Sequence, residues 1–268
     1  MFKTRLLSGI ILVIVLVATV GCGGAVLFSV LGIISLIGLW ELYKVVGVHN
    51  KVLGACGYLA AAGYYGLLFA GHMEHVMMLS IAFLVLVMAV YVFAFPAFRA
   101  EQVMTVYFGL FYVAVMLSFV YQTRMLPDGG TVVWLIFLSS WGCDTCAYCV
   151  GVLFGKHKMA PKLSPKKSVE GGVGGIAGAA LLGALFAFLM NRWGGAQANP
   201  LHYAVICGSG GVISQIGDLA ASAIKRNHDI KDYGKLIPGH GGILDRFDSV
   251  IFTAPVIYYL TMLLAGNI

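Results

Sequence analysis

Long apolar runs recur from one end of this chain to the other, separated by only a few residues, and they restrict the fold more than any other feature. In hydrocarbon every backbone N–H and C=O has to be paired within the protein, which leaves helices or a closed barrel. The runs are continuous and lack the in-out alternation of a membrane barrel strand, so helices are expected. Composition agrees. Of the 268 residues 60% are hydrophobic and 10% charged, with a mean hydropathy of +0.92. A water-soluble domain carries about a quarter of its residues as charges. The reading is an all-α, polytopic integral-membrane protein.

A window of about 18–20 apolar residues crosses the hydrocarbon core. It predicts nine spans, at roughly 6–20, 25–42, 52–70, 76–95, 103–121, 131–153, 172–191, 200–224 and 249–266. Lys3 and Arg5 ahead of an apolar run have the look of a secretory leader, but a second run begins at Ala25, and a helical hairpin is the expectation. With the N-terminus in the cytoplasm, 15 of the 17 Lys and Arg residues fall on the cytoplasmic side and only Arg124 and Arg192 on the other. This asymmetry accounts for the net charge of +6 without nucleic acid as a partner. Cys22, Cys56, Cys143, Cys146, Cys149 and Cys207 lie in or beside apolar runs, where a disulfide framework is not expected. Two regions differ in polarity. Residues 1–125 read as a transmembrane scaffold and a dimer region if the chain pairs, and 126–268 as a transmembrane catalytic domain.

An acid inside a membrane span is costly and points to function. Asp144 lies about ten residues, or ~15 Å, from the cytoplasmic end of its span. Ser140, Asp144 and Tyr148 are spaced to share one helix face, and Ser214, Asp218 and Ser222 repeat the pattern. Two such stripes facing each other would line a polar cavity open to the cytoplasm. A structural ion pair is the plain alternative for either acid taken alone. Glu41, Glu74, Glu101, Asp128 and Asp229 fall near span ends or in loops.

The loop after the eighth span is the densest in chemistry. Lys225, Arg226, Lys231 and Arg246 suit phosphate oxygens, the arginines in bidentate fashion. The turn from Pro238 to Gly242 lets backbone N–H groups approach an anion, and His240 within it either contacts a ligand or caps the turn. Asp245 and Asp248 are three residues apart, so on a helix both face one way and can hold a divalent cation. A second basic loop carries Lys166, Lys167, Ser168 and Glu170, with turn and hydrogen-bonding residues that a simple lipid anchor does not need. Cys143, Cys146 and Cys149 step around a helix too far to share one metal and read as packing thiols.

These residues resemble the signature of phosphatidate cytidylyltransferases (CDP-diacylglycerol synthases), S-x-x-K-R-x4-K-D-x-G-x2-I-P-x-H-G-G-x2-D-R-x-D. Every fixed position is present across 222–248, including Ser222, Asp232, Gly234, Gly241 and Gly242. Asp144-Thr145 with Ala147, Tyr148 and Gly151, the run from Ser164 to Gly171, and Gly217-Asp218-Leu219 are similar to the family as well. The resemblance covers roughly 139–250, and Cys143 departs from the small polar residue expected there. It implies Mg²⁺-dependent transfer of CMP from CTP to phosphatidate with release of pyrophosphate, a step of phospholipid biosynthesis. The implied metal ligands are Asp218, Asp245 and Asp248, with Asp144 completing or supporting the site, and a second cation stays open. Lys225, Arg226, Lys231 and Arg246 would meet phosphates. Lys166, Lys167 and Ser168 would close over the polar groups, with Glu170 holding a lysine. The setting implied is a bacterial cytoplasmic membrane, with the active site facing the cytoplasm. Two alternatives share parts of this pattern. One is a CTP-dependent polyprenol or lipid kinase, and the other an ion-coupled transporter with acids at the midplane.

Overall fold

The computed structural model describes residues 2–194, 197–239 and 241–265, so His240 lies outside the described residues. The chain is helical nearly throughout. Among the described residues, eight helical segments are long and apolar enough to cross a membrane: Gly24–Val45, Val52–Ala70, Met73–Phe93, Ala100–Arg124, Gly129–Phe154, Val169–Trp193, Pro200–Asn227 and Leu244–Leu264. They coincide with spans two to nine of the sequence reading. The first expected span is a helix, Phe2–Cys22, whose apolar part Leu7–Cys22 is shorter than the rest. The chain is an integral-membrane protein of the all-α class.

The chain divides into two compact units. The first comprises Met1–Ser118 together with Asp232–Arg246. It contains α1 (Phe2–Cys22), α2 (Gly24–Val45), α3 (Val52–Ala70), α4 (Val76–Phe93) and α5 (Ala100–Gly109), which runs through a π-helical stretch, Leu110–Val115, into the first residues of α6 (Met116–Arg124). Its core is Leu39, Tyr43, Leu53, Ala61, Tyr64, Val106 and Leu110, all buried. Several tyrosines tie the helices together through hydroxyls that find partners away from water. Tyr43 donates to the Val106 carbonyl at 3.0 Å, Tyr64 meets Ser118 at 2.7 Å and Tyr65 meets Ser35 at 2.7 Å. Gly109 leaves room for the Tyr43 ring, since a Cβ there would sit 2.8 Å from it. Large apolar side chains such as Phe93, Met77 and Phe69 point outward, as lipid-facing residues do.

The second unit comprises Phe119–Lys231 and Phe247–Ile268. α7 (Gly129–Phe137) passes through a π-helical stretch, Leu138–Gly142, into α8 (Cys143–Phe154). A short antiparallel hairpin follows, β1 (Lys158–Ala160) and β2 (Ser164–Ser168), then α9 (Val169–Trp193), α10 (Pro200–Asn227) and α11 (Leu244–Ala265). Without a hydrophobic effect between helices in lipid, close packing has to come from small residues. α9 supplies them. A Cβ on Gly174 would run into Val150, on Gly175 into Cys143 and Ala147, on Gly178 into Cys146, and on Gly183 into Cys207. The cysteines of α8 and α10 that meet these glycines are packing thiols, and all six cysteines are free.

Candidate active site

Within the second unit, polar residues of α8, α9, α10 and the hairpin meet at one end of the apolar helices. α8 starts directly after the π-helical stretch and carries Asp144 in its first turn. The wider π turn changes the register expected of a regular helix. Ser140 is turned inward, fully buried and donating to the Ile136 carbonyl at 2.8 Å, so it does not join Asp144 and Tyr148 on one polar face. Ser214 is likewise buried and lies away from the cavity that Asp218 and Gln215 line.

That cavity has a volume of about 420 Å³ and is lined by Asp144, Tyr148, Lys166, Lys167, Gln215 and Asp218, with the glycine backbone of Gly151, Gly171 and Gly172 between them. Its size is within the ordinary range for a small-molecule site, about 300–1,000 Å³. Gln215 donates to the Gly172 carbonyl at 2.9 Å, and a Cβ on Gly172 would meet Gln215 at 2.8 Å. The Lys167 ammonium forms an ion pair with the Asp218 carboxylate. Ser168 caps α9, its hydroxyl accepting from the Gly171 N–H at 3.2 Å.

Glu170 does not hold a lysine side chain, contrary to the expectation from sequence. Its carboxylate accepts from the backbone N–H groups of Lys156 at 3.1 Å and His157 at 3.2 Å, and pairs with His157 Nδ1 at 2.6 Å. An acid at the start of α9 thereby fastens the entry of the hairpin that carries Lys166 and Lys167, a position also favoured by the helix dipole.

Asp248 sits in the second turn of α11 and is buried, its Oδ1 accepting from the Ser249 N–H at 2.8 Å. Asp218 and Asp144 are close enough for their charges to repel that of Asp248, and Lys225 is close enough to offset it. Gly217 lets α10 and α11 approach here, because a Cβ would lie 2.8 Å from the Asp248 carbonyl. Lys225 is itself buried, whereas Arg226 is exposed and donates to the Ile230 carbonyl at 2.9 Å, closing the end of α10. Ser222 is half-buried on the same helix and Lys231 is exposed beyond it.

In the first unit the remainder of the signature forms a tight loop. The Ile237 N–H donates to the Gly241 carbonyl at 2.9 Å, and Gly239 and Gly241 hold the positive φ values of 79° and 90° that the turn requires. Asp232 is exposed. The Gly242 N–H is not left for a ligand anion, contrary to expectation; it donates to the chain's own Asp245 carboxylate, at Oδ2, 2.9 Å away. The same oxygen accepts from the Tyr233 N–H at 2.8 Å, so Asp245 braces the loop from inside. Arg246 keeps a buried Nε without a hydrogen-bond partner among the described residues.

The donor chemistry of the second unit fits a hard divalent cation. Asp144, Asp218 and Asp248 are oxygen donors whose charges act on one another, and one or two of them with substrate phosphates would suit Mg²⁺. Among the described residues, the trio of ligand types whose atoms all lie within 4.8 Å is a different one, His72, Glu74 and His75 on the exposed turn before α4.

A family model described as the Cytidylyltransferase family matches residues 3–264, nearly the whole chain. The chain belongs to the cytidylyltransferase family. It is 33% identical over 270 residues to a Staphylococcus aureus protein named phosphatidate cytidylyltransferase, with 96% of this chain and 98% of the other covered. Proteins of the same name from Bacillus subtilis and Synechocystis are 36% identical over 170 residues and 41% identical over 138, covering 62% and 52% of this chain and 61% and 45% of theirs. In this cytidylyltransferase Asp144, Lys166, Lys167, Ser168 and Asp218 surround one cavity, with Asp248 and Lys225 interacting electrostatically beside it. One lining residue carried no sequence signal: Gln215, one helix turn before Asp218.

Proposed function

We propose that this cytidylyltransferase transfers CMP from CTP to phosphatidate, giving CDP-diacylglycerol and pyrophosphate in phospholipid biosynthesis. The observation that carries this reading is a charged cavity set among apolar helices. Asp144, Asp218, Lys166 and Lys167 line a space bounded by segments otherwise fit for hydrocarbon. A reaction between a lipid phosphate and a soluble nucleotide needs a site of that kind. Full-length similarity to proteins bearing the phosphatidate cytidylyltransferase name supports the same substrates.

In the reaction a phosphatidate oxygen attacks the α-phosphorus of CTP. A new P–O bond forms, and the bond from that phosphorus to the bridging oxygen of the β-phosphate breaks. Pyrophosphate leaves with the electron pair. The attacking phosphate is already ionised near neutral pH, because the second pKa of a phosphate monoester is about 6, so no general base is required. Catalysis then consists of alignment and charge compensation. Lys166 and Lys167, carried by β2, would meet CTP or lipid phosphate oxygens, and buried Lys225 would offset the charge beside Asp248. Arg246, with its unpartnered Nε, is a further phosphate partner. Mg²⁺, when bound, supplies positive charge to the phosphates, and Asp144, Asp218 and Asp248 would hold it. The bias of Lys and Arg to one side supports a cytoplasmic site in a bacterial inner membrane.

Purified protein supplied with CTP, phosphatidate and Mg²⁺ should form CDP-diacylglycerol and pyrophosphate in equal amounts. Release of CDP with phosphorylated lipid would identify a kinase instead. Absence of both products would refute the reading.

A further inference from the structure

We infer that Glu41 is a positioning residue for this reaction, a carboxylate that fixes the start of α11 from within the scaffold unit. The inference rests on the cytidylyltransferase reading above. Glu41 is 1% exposed near the end of α2. Its Oε1 accepts from the Ile243 N–H at 3.0 Å and its Oε2 from the Leu244 N–H at 2.9 Å. These are the backbone donors of Leu244, the first residue of α11, and of Ile243 just before it, where an isolated helix leaves its N–H groups unpaired. A carboxylate there is favoured by charge-assisted hydrogen bonding and by the helix dipole.

The loop is shaped to receive this one side chain. Gly234 and Gly242 both lie against the Glu41 carboxylate, and a Cβ on either would collide with it. Asp245 holds the Tyr233 and Gly242 N–H groups on its own oxygen. Two buried acids thus take four backbone donors, from Tyr233 at one end of the 233–245 strap and Gly242, Ile243 and Leu244 at the other. The strap leads directly into Asp248, one turn beyond Leu244, whose carboxylate is among the proposed cation ligands. An acid inside a span is expensive unless it has work to do. Here its work is to hold the first backbone groups of α11, the helix that one turn later carries Asp248.

The test compares Glu41→Ala, Glu41→Gln and the control Ser35→Ala. Ser35 is a fully buried polar residue on the same helix, bonded to Tyr65 rather than to the strap. Hydrogen exchange read by mass spectrometry on peptides spanning 233–245, in detergent without nucleotide or metal, should show lost protection in both Glu41 variants and none in Ser35→Ala. In turnover assays Glu41→Ala should lose about 100-fold in kcat, the scale expected for a misplacement of about 1 Å. The Mg²⁺ concentration for half-maximal rate should rise several-fold, with the KM for phosphatidate nearly unchanged. Glu41→Gln, which keeps one acceptor oxygen, should fall between, and it carries the test if Glu41→Ala does not fold. Wild-type protection of the strap in the Glu41 variants, or a wild-type Mg²⁺ dependence of folded Glu41→Gln, would overturn the proposal. If the wild-type protein made no CDP-diacylglycerol, the functional reading would fail while the exchange data still decided whether Glu41 anchors the strap.

Discussion

Lys167 is the side chain whose removal best separates a structural counter-ion from a phosphate ligand. Its ammonium pairs with Asp218, and both side chains are about one-quarter exposed, 25% and 26%. Two unit charges 4 Å apart attract by about 4 kcal/mol at an effective dielectric constant of 20. Partial desolvation and side-chain ordering take back much of that, and a net of about 1–2 kcal/mol is expected for a pair intermediate between exposed and buried. Lys167→Ala should therefore lower the melting temperature by roughly 2–8 °C. Part of this loss reflects Asp218 left beside Asp248 and Asp144 without its nearest cation. Asp218→Asn removes that repulsion, so Lys167→Ala/Asp218→Asn should regain most of the stability.

Activity should behave differently. If Lys167 also meets a phosphate in the transition state, Lys167→Ala should lose about 100-fold in kcat/KM, or about 2.7 kcal/mol. The double variant should regain none of it. The assays are pyrophosphate release at saturating and limiting CTP, alongside thermal unfolding in the same detergent. Restoration of activity together with stability in the double variant would show that Lys167 and Asp218 only neutralise each other, and would remove Asp218 from the proposed cation ligands as well. A loss of less than about threefold in the single variant would remove it from the transition state altogether.

Other consequences follow from the same geometry. Asp248→Asn keeps the size and the acceptor for the Ser249 N–H but not the charge, so turnover should fall by at least about 100-fold while the unfolding temperature holds or rises, as like-charge repulsion is relieved. Glu170→Ala deletes the acceptor for the Lys156 and His157 N–H groups, loosening the hairpin; the KM for CTP should rise about 5- to 20-fold with a smaller change in kcat, as for lost uniform binding. Gly175→Val places side-chain atoms where Ala147 and Cys143 pack within 3.0 Å, and a destabilisation of about 2–4 kcal/mol, read as a lowered melting temperature, is expected from overpacking.

The spans were legible because hydrocarbon enforces length and apolarity with almost no exceptions; all nine fall on helices, eight of them long and apolar enough to cross a membrane. The cavity was partly legible for the same reason. Asp144 and Asp218 stand out because acids are rare in such segments. What a regular helical repeat could not convey was the π-helical stretch ahead of α8. The repeat placed Ser140 beside Asp144, and one widened turn is enough to send it into the core. The hairpin was illegible because five residues of β2, two of them lysines, carry no hydrophobic alternation; their pairing is set by Glu170 at one end and the Ser168 cap at the other. Glu41 was passed over because an acid near a span end normally reaches water. Nothing in its neighbours reveals that its partners are backbone groups 202 and 203 residues away.

The way the helices begin gives this placement a physical reason. α10 begins at an exposed end, where the Asn199 side chain accepts from the Leu201 and His202 N–H groups and water can serve the others. α9 begins with a serine cap reinforced by Glu170. α11 has no such recourse. Gly242, Ile243, Leu244 and Asp245 are all buried, so each donor at its start needs a protein acceptor or costs about 1–3 kcal/mol. A hydroxyl or amide cap satisfies one or two donors; the Glu41 and Asp245 carboxylates between them take three of these, from Gly242, Ile243 and Leu244, and the Tyr233 N–H besides. The density of acids around 232–248 therefore has two causes. Asp248 lies where the charges of Asp144 and Asp218 act on it, while Asp245, with Glu41 from the first unit, takes up backbone donors where α11 starts buried.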